Sequence, residues 1–111
     1  MAPQPIYLGE FEQLVLLAVL RLGADAYGVS IGRELEEQAG RRVSRGALYT
    51  TLDRLEQKGY VKSWFGGATE ERGGRSKRYF EIQAAGELAL KRSLQVAGNM
   101  LTGLKEIGGL V

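Results

Sequence analysis

Apolar positions along the chain fall into two rhythms, and the change from one to the other marks out the elements. From Leu8 the pattern is helical. Phe11, Leu14, Val15, Ala18 and Leu22 follow i, i+3, i+4 spacing, one stripe of an amphipathic helix. Leu16, Leu17, Val19 and Leu20 are apolar too, so the second half of this helix is hydrophobic nearly all round and needs a second burial surface. A partner subunit is one way to supply it. Gly23-Ala24-Asp25 closes the helix. A second helix fits Tyr27 to Ala39, with Ile31, Leu35 and Ala39 on one stripe and Glu34, Glu36 and Glu37 on the other side. Gly28 and Gly32, four residues apart, leave a smooth face for a neighbouring helix, and Gly40 is the expected stop. Ser44 is a suitable N-cap for a third helix running to Lys58, with Leu48, Leu52 and Leu55 as its buried seam and Gly59 as its stop.

The rhythm then changes. Tyr60 to Phe65 and Lys77 to Ile82 are rich in aromatic and β-branched residues and flank Gly66-Gly67 and Gly73-Gly74, which predicts a β-hairpin with a long flexible tip. From Ala84 to Ile107 a last helix carries Leu90, Leu94, Ala97, Leu101 and Leu104 at alternating spacings of four and three, a short coiled-coil seam. Gly98 and Gly103 weaken it by roughly 1 kcal/mol each relative to Ala. Both prolines lie in Met1–Pro5, which predicts an extended tail over residues 1–7.

These elements belong to 111 residues, room for one compact domain and little more. The chain has no His and no Cys, which removes thiol nucleophiles, disulfides, imidazole bases and the Cys- or His-based zinc sites. No cofactor and no metal site is expected. There is no Walker-type glycine loop, and the adjacent Glu70-Glu71 on a loop cannot give the two separate environments that paired-carboxylate chemistry needs. An enzyme is therefore not the expected class. The longest apolar run, Leu14 to Leu20, has seven residues, far short of a bilayer span, so a soluble cytoplasmic protein without a membrane partner is expected.

The net charge of +2 conceals an asymmetry: residues 1–40 carry a net −4, residues 41–82 a net +5 and residues 83–111 a net +1. Positive charge gathered in one third of a small domain suggests a surface that faces a polyanion. Three helices followed by a glycine-tipped hairpin is the order of a winged helix-turn-helix, in which the later helix of the pair enters the DNA major groove. With Leu48, Leu52 and Leu55 turned inward, Arg45, Gly46, Tyr49, Thr50 and Asp53 fall on the opposite face. Arg45 follows the cap and suits a guanine edge or a phosphate. Gly46 allows close approach of backbone to the groove, and Tyr49 and Thr50 suit phosphates or a thymine methyl. Tyr49 has a second reading, as an aromatic wedge between this helix and the wing. Arg54 and Lys58 suit either DNA or an ion pair with Glu56 or the second helix. On the hairpin, Arg72, Arg75, Lys77 and Arg78 are four cations within seven residues. Beside Glu70-Glu71 only the returning arm, from Arg75 through Lys77 and Arg78, is expected on phosphates.

Four stretches, in order and at these spacings, resemble the PadR family of winged-helix transcriptional regulators. They are LGEFEQLVLLAVLRL (8–22), AYG (26–28), SRGALYTTLDRLEQKG (44–59) and GGRSKRYF (73–80), with Gly86 following. The single helix after the wing is similar to the short-tailed branch of that family, although Gln83 stands where many relatives have Thr. The resemblance implies a dimeric DNA-binding repressor, dimerised through its last helix and often relieved by a small aromatic or drug-like effector.

The expected fold is thus mainly α with a small β-hairpin, an α+β winged helix-turn-helix (residues 1–83) followed by a dimerisation helix (84–111). The expected partners are double-stranded DNA, bound as an inverted repeat, and a second copy of the chain, through Leu16, Val19, Leu20, Leu90, Leu94, Ala97, Leu101 and Leu104. For a small hydrophobic effector the candidate lining is Phe11, Leu16, Val19, Leu20, Met100 and Leu101, with Trp64 on the hairpin outside that cavity. The alternatives are a filled apolar interface with no pocket, and a winged helix that binds protein rather than DNA.

Overall fold

Val15, Leu16, Ile31, Leu52, Leu55, Val61 and Phe80 are almost wholly removed from solvent, and the elements carrying them enclose one core. The computed structural model describes residues 8–66 and 76–104. Helix α1 (Glu10–Leu22) leads through a 3₁₀ turn (Gly23–Asp25) to α2 (Gly28–Ala39) and α3 (Arg45–Gln57). Strands β1 (Val61–Gly66) and β2 (Lys77–Ile82) form an antiparallel hairpin, and α4 (Ala84–Leu101) follows. The hairpin pairs Val61 with Ile82, Ser63 with Phe80, Phe65 with Arg78 and Gly66 with Lys77. The extended tail, the hairpin tip with Gly67, Glu70, Glu71, Arg72, Gly73, Gly74 and Arg75, and the expected helical residues 105–107 lie outside the described residues.

The local signals act as the residue types require. Gly9 donates its backbone N–H to Glu12 Oε1 at 3.0 Å and so closes the start of α1. Ser30 is the corresponding residue of α2, accepting from the Tyr27 N–H at 2.9 Å. Ser44 caps α3 by accepting from Ala47 N–H at 3.1 Å, as its type and place predict. Gly40, at φ 64°, ends α2. Gln83 contributes no side-chain cap to α4. A pairing with no sequence signal adds an isolated antiparallel bridge to β2. Tyr27 bridges Tyr79, and the Phe80 N–H donates to the Ala26 carbonyl at 2.9 Å.

Two expectations about the helices need correction. Helix α1 is central rather than half-exposed, because α2, α3, β2 and α4 all pack against it. Leu16 and Val19 are therefore buried within the protomer, and Leu90 of α4 is buried with them. None of the three is surface for a second chain; of the all-round apolar stretch, Leu20 alone is exposed, at 43%. Helix α4 also ends at Leu101 rather than Ile107, since Gly103 adopts φ 88° and Leu104 lies past the helix.

Candidate nucleic-acid interface

Ion pairing decides which cations of the basic segment remain available. Arg41 pairs with Glu10, Arg42 with Glu36, Lys58 with Glu12 and Lys62 with Glu81. Arg78 pairs with both Asp53 and Glu56. Among the described residues of 41–82, the cations left without a carboxylate partner are Arg45 and Arg54 on α3 and Lys77 on β2. All three are exposed. Three of these pairs tie the basic segment to Glu10, Glu12 and Glu36 of the acidic first third, the others close within the segment, and the cations left over lie on the third helix and the hairpin.

Between those two elements runs a cleft of about 580 Å³, lined by Tyr27, Gly28, Val29, Arg45, Tyr49, Phe65, Ser76, Lys77 and Arg78. Arg45, Gly46 and Thr50 are exposed on α3, as the inward seam of Leu48, Leu52 and Leu55 requires. Tyr49 is half-buried. Its ring tilts against Phe80 with centroids 6.3 Å apart, and its hydroxyl occupies the space where a Cβ on Gly28 would stand. Gly28 is thus a packing glycine: its missing side chain lets α3 lie against α2, whereas a Cβ on Gly32 would meet Leu48 at an ordinary contact distance. Tyr49 is the wedge of its second reading, with one edge on the cleft.

Lys77 holds its ammonium 4.3 Å from the centroid of the Tyr27 ring. Tyr27 meets Tyr79 edge to face, and Tyr79 stacks on Trp64 with centroids 6.1 Å apart. This aromatic row supports the face of the hairpin that carries Lys77.

The Arg78 guanidinium lies 2.9 Å from Asp53 Oδ1 and 2.7 Å from Glu56 Oε1. Its Nε–H donates to Ser63 Oγ at 3.1 Å. Burial disfavours the charged guanidinium, but Asp53 and Glu56 outweigh it and its pKa is raised. Hydrogen bonds from Ser63, opposed by burial and reinforced by Arg78, hold the Glu56 carboxyl below the usual carboxylate range. Arg78 is thus engaged by two carboxylates of α3 where it borders the cleft. Sequence reasoning missed its partners because they lie on α3, and it missed Phe65 and Val29. These apolar side chains are 72% and 51% exposed on the cleft. An aromatic on the side of β1 opposite Trp64 was the available signal for Phe65.

The expected effector lining does not come together as one surface. Phe11 packs near the start of α1 with Arg41 over its ring, Leu16 is in the core, and Met100 is 75% exposed near the end of α4. Leu20 and Val19 instead border a groove of about 390 Å³ with Gly23, Ala24, Trp64, Glu81, Ile82 and Glu87. Trp64 of the hairpin lines this groove, which is not the expected cavity.

Residues 16–92 match the transcriptional regulator PadR-like family, well over half of the chain. The chain belongs to the PadR-like family of transcriptional regulators. This PadR-like regulator superposes on solved structures of the same kind. A transcriptional regulator from Clostridium thermocellum aligns with TM-score 0.67 at 20% identity, over 87% of this chain and 91% of that one. RosR of H. salinarum aligns with TM-score 0.66 at 29% identity, over 86% and 79%. A PadR family regulator from Clostridium difficile R20291 aligns with TM-score 0.63 at 21% identity, over 82% and 94%. The α+β winged-helix fold is common to them. A search of curated protein sequences gives no match. In this PadR-like regulator α3 is the second helix of the helix-turn-helix and the β1–β2 hairpin its wing. No described helix is long and apolar enough to cross a membrane.

Proposed function

We propose that this PadR-like regulator is a sequence-specific DNA-binding repressor that acts as a homodimer on an inverted-repeat operator. Residues 1–83 form the DNA-binding unit and residues 84–111 the dimerisation segment. The observation that carries the reading is the distribution of cations without a carboxylate partner among the described residues: Arg45 and Arg54 on the recognition helix, Lys77 on the wing, with the cleft between the two elements. Arg45, Gly46 and Thr50, with the exposed edge of Tyr49, read bases and neighbouring phosphates, while Lys77 and Arg75 contact phosphates. Selection of bound duplexes from a random library tests this. The expected result is an inverted repeat bound with a steep salt dependence. Recovery of no preferred sequence overturns sequence-specific binding.

The exposed apolar pair Phe65 and Val29 favours a second reading, docking of a protein on the same cleft. Duplex affinity that ignores salt while a protein partner binds through Phe65 would decide for it. For release by an effector, the support is the Leu20–Trp64 groove, which suits a small hydrophobic or aromatic molecule. A ligand screen that gives neither stabilisation nor release from operator rules effector control out.

A further inference from the structure

We infer that Arg78 is a positioning residue for DNA recognition: by bridging β2 to Asp53 and Glu56 of α3, it locks the wing to the recognition helix so that both present their cations as one rigid surface. This rests on the DNA-binding reading above.

A two-stranded hairpin is marginally stable alone and has no fixed direction unless something outside it sets one. The described wing is tied at its base by Val61 and Phe80 in the core. Further out, at the level where Phe65 faces Arg78 across the strands, the polar anchor is the guanidinium. Its two carboxylate partners sit three residues apart on α3 and so share one face of that helix. Glu56 also accepts from Ser63, through the backbone N–H at 3.2 Å and the hydroxyl at 2.9 Å, so both strands are gripped by one helix side chain. The Phe80 ring lies under the guanidinium, with Arg78 Cζ 4.9 Å from its centroid. Nη2 meets both carboxylates while Nε meets Ser63, and a planar fork holds these two donors at a fixed separation, which a single ammonium nitrogen lacks. Lys77 adjoins Arg78 in the strand but points to the other face, toward Tyr27. The angle of the wing about α3 therefore sets where Lys77 meets a phosphate; the Tyr27–Tyr79 bridge holds the wing on the α2 side and Arg78 holds it on the α3 side.

The competing role, direct phosphate contact by Arg78, makes opposite predictions. Arg78→Lys keeps the charge and would preserve a phosphate contact, whereas it weakens the bridge by removing the donor to Ser63 and the guanidinium over Phe80. Glu56→Gln removes a negative charge beside the DNA and would raise affinity if Arg78 were a phosphate ligand, whereas it weakens the bridge. Operator affinity of the full chain is measured against salt for wild type, Arg78→Lys, Glu56→Gln, Lys77→Gln and the Arg78→Lys/Lys77→Gln double variant, beside an operator with altered bases. The expected result for Arg78→Lys and Glu56→Gln is affinity lower on the order of tenfold, with a salt slope smaller by about one unit. The ratio of operator to altered operator stays unchanged, because α3 still reads bases. Lys77→Gln costs less in the Arg78→Lys background than alone, since the wing is already misplaced.

A generally destabilised fold would lower the base discrimination as well, and that outcome overturns the positioning role. A second readout needs no DNA. The only Trp in the chain lies on the wing, so time-resolved anisotropy of Trp64 should show faster local motion in both bridge variants. Unchanged anisotropy with unchanged salt slope overturns the bridge while leaving DNA binding intact. Wild type that ignores duplex DNA overturns both.

Discussion

Arg45 stands one residue after the Ser44 cap, in the first turn of α3, with no carboxylate partner among the described residues. Arg45→Ala is expected to weaken operator binding by about 1–3 kcal/mol and relax the base preference at one position of each half-site. Gel-shift titration against base-substituted operators checks it; uniform weakening on every duplex would mean a phosphate contact instead. The position was legible because a cap and an apolar seam of period 3.6 together fix which residues of a helix face outward. Tyr49 was legible only as a pair of alternatives, since the same helical phase suits exposure and wedging. Packing against Gly28 and Phe80 makes it mainly a wedge. Gly28→Ala therefore drives a methyl into the Tyr49 hydroxyl and should destabilise the fold by about 1–3 kcal/mol in denaturant unfolding. The ion pairs of Arg78 were illegible for a different reason. Its cationic neighbours in sequence suggested DNA, while Asp53 and Glu56 reach it only after the hairpin folds back on α3.

At the scale of elements, two carboxylates fasten helices to their neighbours. Glu12 joins the start of α1 to the end of α3, with Lys58 Nζ 2.9 Å from its carboxylate, and Glu56 joins α3 to the wing. Burial alone would raise the Glu12 pKa, yet Lys58 and the Gly9 amide outweigh it, so it is lowered, as is that of Glu56. The unfolded chain then binds protons at higher pH than the native one. Each carboxylate contributes stability that is fully present above its unfolded pKa of about 4.3 and is lost as pH falls through the folded value. Stability of the wild type should fall with acid in that window. In Glu12→Gln and Glu56→Gln that fall should be shallower, as read by unfolding midpoints across pH; equal slopes would mean these contacts are solvent-screened. The elements themselves were legible from caps, glycine stops and the switch in apolar period. The Tyr27–Tyr79 bridge was not, because two residues of extended chain carry no period. The early end of α4 was only half legible: Gly98 and Gly103 marked weakness without saying which would break the helix.

For the whole molecule, an apolar helix stripe reads the same whether its partner is the same chain or a second copy. That is why Leu16, Val19 and Leu90 were assigned to an interface and lie in the protomer core. The remainder of that assignment is what a dimer has to use. Leu94, Ala97 and Leu101 stay exposed along α4, with Leu88, Val96 and Met100 around them, and Leu20 is open on α1. That much apolar surface on one helix is costly to leave in water, and a two-fold axis covers both copies at once. The axis would also bring two copies of α3 to about 34 Å, one turn of DNA, which is why the operator is expected to be an inverted repeat. Leu94→Asp with Leu101→Asp changes exposed positions, so the core enclosed by α1, α2, α3 and the hairpin should survive, with a circular dichroism spectrum close to wild type. Tight operator binding should be lost, because a single half-site contributes too few contacts to hold the chain at physiological salt. Analytical ultracentrifugation decides the point: wild type sedimenting as a dimer at micromolar concentration and the variant as a monomer is expected. A wild-type monomer that still binds the operator tightly would remove the dimer from the mechanism.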